Sequence, residues 1–148
     1  MSSSEGVFFL TGKDFKKAGA ASSNLKGILE GMGIPAAIIR RVAIASFEAE
    51  MNVIIYAVAG MIHYCITPEI IKIRIQDMGP GIPDIELAMK EGYSTAPDYI
   101  REMGFGSGMG LPNIKKNADH LTVNSLAGEG TTVEFSINLS PAEATSKA

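Results

Sequence analysis

The chain has 148 residues, 46% of them apolar, and a formal net charge of −3 at pH 7, which suits one domain with a substantial core. That balance carries no basic footprint for nucleic acid, and no apolar run reaches the roughly 18 residues of a membrane span. The N-terminal "MSSSEGVFF" lacks the basic and long apolar regions of a signal peptide, so a cytoplasmic protein is expected.

In chain order, residues 7–11 read as a short strand bounded by Gly6 and Gly12. Across residues 14–32, Phe15, Ala18, Ala21, Leu25, Ile28 and Leu29 recur at helical spacing, with Gly31 and Gly33 to stop the helix. Pro35 opens a second helix that runs to a stop near Gly60, and its expected buried stripe is Ile44, Phe47, Met51, Ile54, Ile55 and Val58. Residues 61–66 and 70–76 alternate around a Thr67-Pro68 turn and predict a hairpin. Cys65, the single cysteine, excludes an internal disulfide or a cysteine metal cluster and reads as a small buried hydrophobe.

Residues 77–110 lack strong periodicity and are rich in glycine and proline, although "PDIELAMKEG" can hold a short helix. Long irregular segments in compact domains are usually functional or disordered, and residues 84–105 are expected to form a mobile lid. A helix over 109–119 is followed by "HLTVNSL" and "GTTVEFSINL", a second hairpin around the Gly128-Glu129-Gly130 turn. The expected fold is α+β, a two-layer sandwich in which a mixed, mostly antiparallel sheet is covered on one face by helices. One domain spans residues 1–139, and the small polar tail 140–148 is expected to be disordered.

Three stretches carry candidate chemistry. "GFGSGMGLPNIKK" places Gly104, Gly106, Gly108 and Gly110 at alternate positions ahead of a helix. A bare backbone there lets N–H groups at a helix N-terminus approach an anion, though a flexible surface loop has the same composition. It is not a Walker loop, since Gly12-Lys13 is followed by Asp14. Nor does it follow a buried strand with the spacing of a dinucleotide fingerprint. On the second helix, Glu48 and Asn52 in "FEAEMN" lie about 40° apart on one face, whereas Glu50 points about 160° away from Asn52. The pair reads either as a solvated helical pair or as a carboxylate base beside an oxygen ligand for Mg²⁺. In "QDMGPGIPD", Asp77 ends a β-rich run before Gly79 and Gly81. It reads either as a turn cap or as an acceptor for an exocyclic amine.

Taken in order, these stretches and the final "GEGTTVEF" closely resemble the ATP-binding domain shared by gyrase, heat-shock chaperones, sensor histidine kinases and mismatch-repair ATPases. The resemblance covers about residues 7–139. "RRVAIASFEAEMNVIIYA", "DMGPGIPDIELAMKEGYSTA" and "REMGFGSGMGLPNIKKNAD" look most like the stand-alone anti-sigma-factor serine/threonine kinases of bacteria, of the stress-pathway switch type. The resemblance implies that Asn52 coordinates Mg²⁺ bridging the phosphates of ATP and that Glu48 orients or deprotonates the attacking hydroxyl. It implies that Asp77 binds the adenine amine, supported by Thr131 or Thr132, with Gly79 and Gly81 shaping the adenine floor. Gly104, Gly106, Gly108 and Gly110, with the N–H groups of Met109 and Leu111, would then wrap the triphosphate. Lys90, Arg101 and Lys115 are candidates for phosphate contact, and nothing selects among them. The implied partner is a small antagonist protein of the sulfate-transporter/anti-sigma-antagonist type.

The chain departs from the pattern in that Tyr56 stands where the wider kinase group often has a histidine. There is also no phosphoacceptor-histidine helix, and His63 and His120 read as structural or exposed. The alternatives to a kinase are a module that sequesters a sigma factor or activates a phosphatase, with ATP as a conformational ligand, and an ATPase fragment with another partner.

Overall fold

In "IIKIRIQD", Ile71, Ile73 and Ile75 occupy alternate positions, and each is 2% exposed or less. Strand side chains alternate between faces, so these three define the covered face of a sheet. Burying an isoleucine stabilises by about 1.5–3 kcal/mol relative to leaving it in water. In the computed structural model, which describes residues 3–82, 84–92, 94, 109–126 and 128–139, this strand is the middle of five. They are β1 (Ser4–Thr11), β2 (Ala59–Ile66), β3 (Ile70–Asp77), β4 (His120–Leu126) and β5 (Gly130–Asn138). Their order is β1-β2-β3-β5-β4, and each of these neighbouring pairs is antiparallel. The α+β sandwich is as expected, with both hairpins in place and, among the described residues, no parallel pair within this sheet.

Among the described residues, four α-helices accompany the sheet: α1 (Ala20–Gly31), α2 (Ala36–Tyr56), α3 (Ile85–Ala88) and α4 (Gly110–Asn117). The region expected as one helix over 14–32 divides into a 3₁₀ turn at Phe15–Lys17 and α1, because Gly19 takes a left-handed φ of 92° as the α1 N-cap. At the other end of α1, the Ile34 N–H donates to the Leu29 carbonyl and the Gly33 N–H to the Glu30 carbonyl. This paired closure ends the helix and buries Ile34.

The core stripe of α2 differs from the one expected. Val42, Ala45, Ala49 and Val53 belong to the main core with the isoleucines of β2, β3 and β5, while Met51, Ile54 and Ile55 form a second cluster with Phe15, Ala18 and Tyr56. Ile44 is half-buried, Phe47 lies at the surface, and Val58, beyond the helix end, is 77% exposed. The helix is therefore packed on two sides, which a single apolar stripe does not anticipate. Its C-terminus is closed from outside by Lys13, whose N–H donates to the Ile54 carbonyl (2.7 Å) and whose ammonium donates to the Ile55 carbonyl.

Cys65 falls on the uncovered face of β2, half-exposed, since Tyr64 and Ile66 take the inward positions; the buried reading is corrected by strand parity. His63 shares that face and is half-buried, and His120 opens β4 in an exposed position. The tail 140–148 lies outside the described residues. No helix among the described residues is long and apolar enough to cross a membrane.

Candidate active site

Two adjacent helices and the ends of two adjacent strands converge on the residues singled out by their chemistry. Asp77 is the last residue of β3, with the same parity as Ile71, Ile73 and Ile75, so its carboxylate faces the helices. It accepts the Thr131 N–H at 3.0 Å. Burial pushes the Asp77 carboxyl above its ordinary range, and the N–H groups of Thr131 and Gly79 partly offset this. Thr131, Val133, Phe135 and Ile137 share the inward parity of β5, which places Thr132 on the opposite face. Of the two threonines, Thr131 is the one beside Asp77.

Around Asp77 the chain closes on itself. The Thr131 hydroxyl lies 3.0 Å from the Ser125 hydroxyl, which accepts the Ile82 N–H at 2.6 Å and lies 3.2 Å from the Gly130 carbonyl. The Gly128 N–H donates to the Pro80 carbonyl at 2.9 Å. Residues 77–82 are thus stitched to the β4–β5 turn. At Gly130, φ is 123° and any Cβ would collide with the Asp77 carbonyl, so only glycine lets the two strand ends approach. Gly79 lies against the Asp77 carboxylate and Ala57, and Gly81 against the Leu126 carbonyl. Ser125 was not among the candidates. Its signal is a polar residue at the inward position of β4, in register with Thr131.

The second half of the site is the seam between α2 and α4. A Cβ on Gly110, the first residue of α4, would lie 3.1 Å from the Asn52 amide oxygen and 3.4 Å from its nitrogen. Glycine is what admits the asparagine so close to the start of the helix. One turn back on α2, Glu48 faces α4, where the Asn113 side chain hydrogen-bonds to it. Burial raises the Glu48 carboxyl above its usual value, and the bond from Asn113 lowers it by less. Asn113 was not a candidate either, because only the antiparallel packing of the two helices brings it opposite Glu48.

Leu111 is buried beneath the start of α4, and Met109 is its N-cap, accepting the Asn113 N–H at 2.9 Å. Gly104, Gly106 and Gly108 lie outside the described residues. Glu50, on the back of α2, is 1% exposed, and its carboxylate accepts the N–H groups of Gly19 (3.0 Å), Ala21 (3.3 Å) and Ser22 (3.0 Å). It closes the N-terminus of α1, which has no side-chain cap of its own. Tyr56 donates or accepts a 3.2 Å bond with Ser94.

The donor set fits a hard cation that takes most of its ligands elsewhere. Among the described residues no three His, Cys, Asp or Glu side chains cluster as a metal cage. Mg²⁺ characteristically takes one or two protein oxygens and completes its octahedron with phosphates and water. Asn52, with its amide beside the N-terminus of α4, carries an oxygen of the kind such an ion takes.

Comparison with known proteins gives the family of the chain. Residues 38–141 match the model of the histidine kinase-, DNA gyrase B- and HSP90-like ATPases. The chain is 37% identical over 98 residues to the serine/threonine-protein kinase RsbT of Bacillus subtilis, covering 64% of this chain and 68% of that protein. It is 32% identical over 103 residues to the anti-sigma F factor of Bacillus licheniformis, covering 66% and 67%. To the anti-sigma F factor of Clostridium acetobutylicum it is 34% identical over 97 residues, covering 62% and 64%. The chain belongs to the family of histidine kinase-, DNA gyrase B- and HSP90-like ATPases.

Proposed function

We propose that this protein is an ATP-dependent serine/threonine kinase that works in the cytoplasm and phosphorylates a small antagonist protein of the sulfate-transporter/anti-sigma-antagonist type, in a partner-switching circuit. The observation that carries the reading is the α2–α4 seam, where a partly buried carboxyl and a carboxamide sit one turn apart opposite the start of a helix.

In this reading Asp77 accepts the exocyclic amine of adenine, with Thr131 and Ser125 holding the carboxylate and the strand ends in place and Gly79 and Gly81 forming the floor. Asn52 ligates Mg²⁺. The N–H groups at Gly110 and Leu111, with Met109 and the glycines at 104, 106 and 108, receive the triphosphate. Mg²⁺, when bound, neutralises charge on the phosphates and orients the γ-phosphoryl group. Glu48 takes the proton from the substrate serine or threonine hydroxyl as its oxygen bonds to the γ-phosphorus and the bond to ADP breaks. A carboxyl raised above its ordinary range lies nearer the operating pH and is the better base for it. Phosphoryl transfer depends on positioning and charge stabilisation, and in this reading the seam contributes the positioning while the helix N–H groups and the metal contribute the charge stabilisation.

A second reading is favoured by the relatives named anti-sigma F factor: a module that sequesters a sigma factor or engages a phosphatase, with ATP as a conformational ligand. Transfer of labelled γ-phosphate to the purified antagonist separates the two. Glu48→Ala is expected to keep Mg-ATP affinity within a few-fold and to lose phosphorylation by about 10²–10⁴-fold, whereas Asn52→Ala loses the metal-dependent part of nucleotide binding. An unaltered protein that binds its partner and never phosphorylates it is a sequestering module.

A further inference from the structure

The α2–α4 seam extends beyond the residues that meet the nucleotide. Along α2, Asn52 faces Gly110 and Glu48 faces Asn113. Two turns further back, Arg41 reaches the other end of α4. Its Nε donates to the Asn117 carbonyl at 2.9 Å and its Nη2 to the Asp119 carboxylate at 2.9 Å. Asn117 is the last residue of α4, so the first bond satisfies a carbonyl that the helix cannot, at the end where its dipole favours a cation. The Asp119 side chain is 5% exposed, and its other oxygen accepts the Asn138 N–H at 2.7 Å. One guanidinium therefore joins α2, the end of α4 and the corner from which β4 departs.

We infer that Arg41 is a positioning residue for the phosphate end of the nucleotide: by clamping the C-terminal corner of α4 to α2, it holds the start of α4 against Asn52. The inference rests on the ATP reading above and adds a residue to it that touches neither nucleotide nor metal. A helix of two turns has little intrinsic stability, so its placement depends on what holds its ends. The clamp uses two donors of one planar group in fixed directions, which arginine provides and lysine does not. Misplacement of a positioned group by about 1 Å can cost as much as 10²-fold, and the loss falls on the ligand atoms that the helix start receives. Lys116 on the same helix supplies the contrast: it pairs with Glu91 at 2.5 Å, but both side chains are more than half exposed, and such pairs contribute little.

Calorimetric titration of the full chain with Mg-ATP and, separately, with AMP tests this, because AMP presents the adenine to Asp77 without the β- and γ-phosphates. The unaltered protein is expected to prefer Mg-ATP. Arg41→Ala should lose about tenfold of Mg-ATP affinity and keep AMP within about twofold, Arg41→Lys should lose about threefold for Mg-ATP alone, and Lys116→Ala should change neither. A purely structural role would weaken both ligands together, and that outcome overturns the assignment, as does an Arg41→Ala protein with the full preference. If Arg41→Ala does not fold, Arg41→Lys decides: undiminished preference overturns the clamp, and a loss confined to Mg-ATP supports it. An unaltered protein without any preference for Mg-ATP overturns the ATP reading and the clamp together, and is recognised before any variant is made.

Discussion

Glu48 and Asp77 are both carboxyls that burial raises above their ordinary values of 4.5 and 3.8. For an acid raised in the folded state, the native protein holds protons that the unfolded chain has released. Its contribution to stability is therefore complete below the ordinary pKa and is lost as pH rises through the folded value. At neutral pH each of these carboxylates is a cost to the fold, one that fits a residue retained for its chemistry. Glu48→Gln, which keeps the shape and removes the charge, is expected to raise Tm at about pH 7 and to raise it less at about pH 4, where the native carboxyl takes up its proton. Thermal scans of both proteins at the two pH values measure this, and an equal shift at both would contradict it. That Glu48 and Asn52 share one face of a helix and that Asp77 ends a strand was legible from helix and strand periods, while the roles proposed for them rest on the resemblance of the motifs. Thr131 separates from Thr132 by the same parity once Val133 and Phe135 are known to face inward. Ser125 and Asn113 were not legible, since each is defined by the element opposite it.

At the level of elements, α1 and α2 are joined by Glu50. Its carboxylate receives three N–H groups around the start of α1 while itself 1% exposed. Truncation leaves those donors buried without an acceptor. Glu50→Ala is expected to lower stability by about 2–4 kcal/mol, read as a lower urea midpoint with an unchanged slope; a loss of less than about 1 kcal/mol would show that water replaces the carboxylate. In the sequence, Glu50 registers only as an acid pointing away from Asn52, because the cap and the capped helix are 28 residues apart or more. The same separation hid the break before α1, where an unbroken helical period runs over Gly19. Strands and hairpins were read with ends within a few residues, since period 2 and turn residues are local signals. The insertion of β5 between β3 and β4 is a pairing of distant segments, and no local pattern encodes it.

For the whole molecule, the candidate site draws on β3, β5, α2 and α4, and these come from both halves of the chain. A ligand held by all four acts as a cross-link of the native state that the unfolded chain cannot bind. At a free concentration of about 100 times Kd such a ligand stabilises by roughly 2.7 kcal/mol. For a domain of this size, that corresponds to a rise in Tm of about 5–10 °C. Mg-ATP is expected to produce this shift, and chelation of Mg²⁺ to remove most of it, because in the proposed reading Asn52 engages the phosphates through the metal. GTP has a carbonyl where adenine has its amine, so an ionised Asp77 faces it as a second acceptor, and a buried acceptor left without a donor costs about 1–3 kcal/mol. The GTP shift should accordingly be smaller by several degrees, and Asp77→Asn, whose amide can donate as well as accept, should narrow the gap between the two nucleotides. Equal shifts with ATP and GTP in the unaltered protein would remove Asp77 from the adenine pocket. A shift with ATP that ignores Mg²⁺ would remove Asn52 from the metal while leaving the pocket at the end of β3 in place.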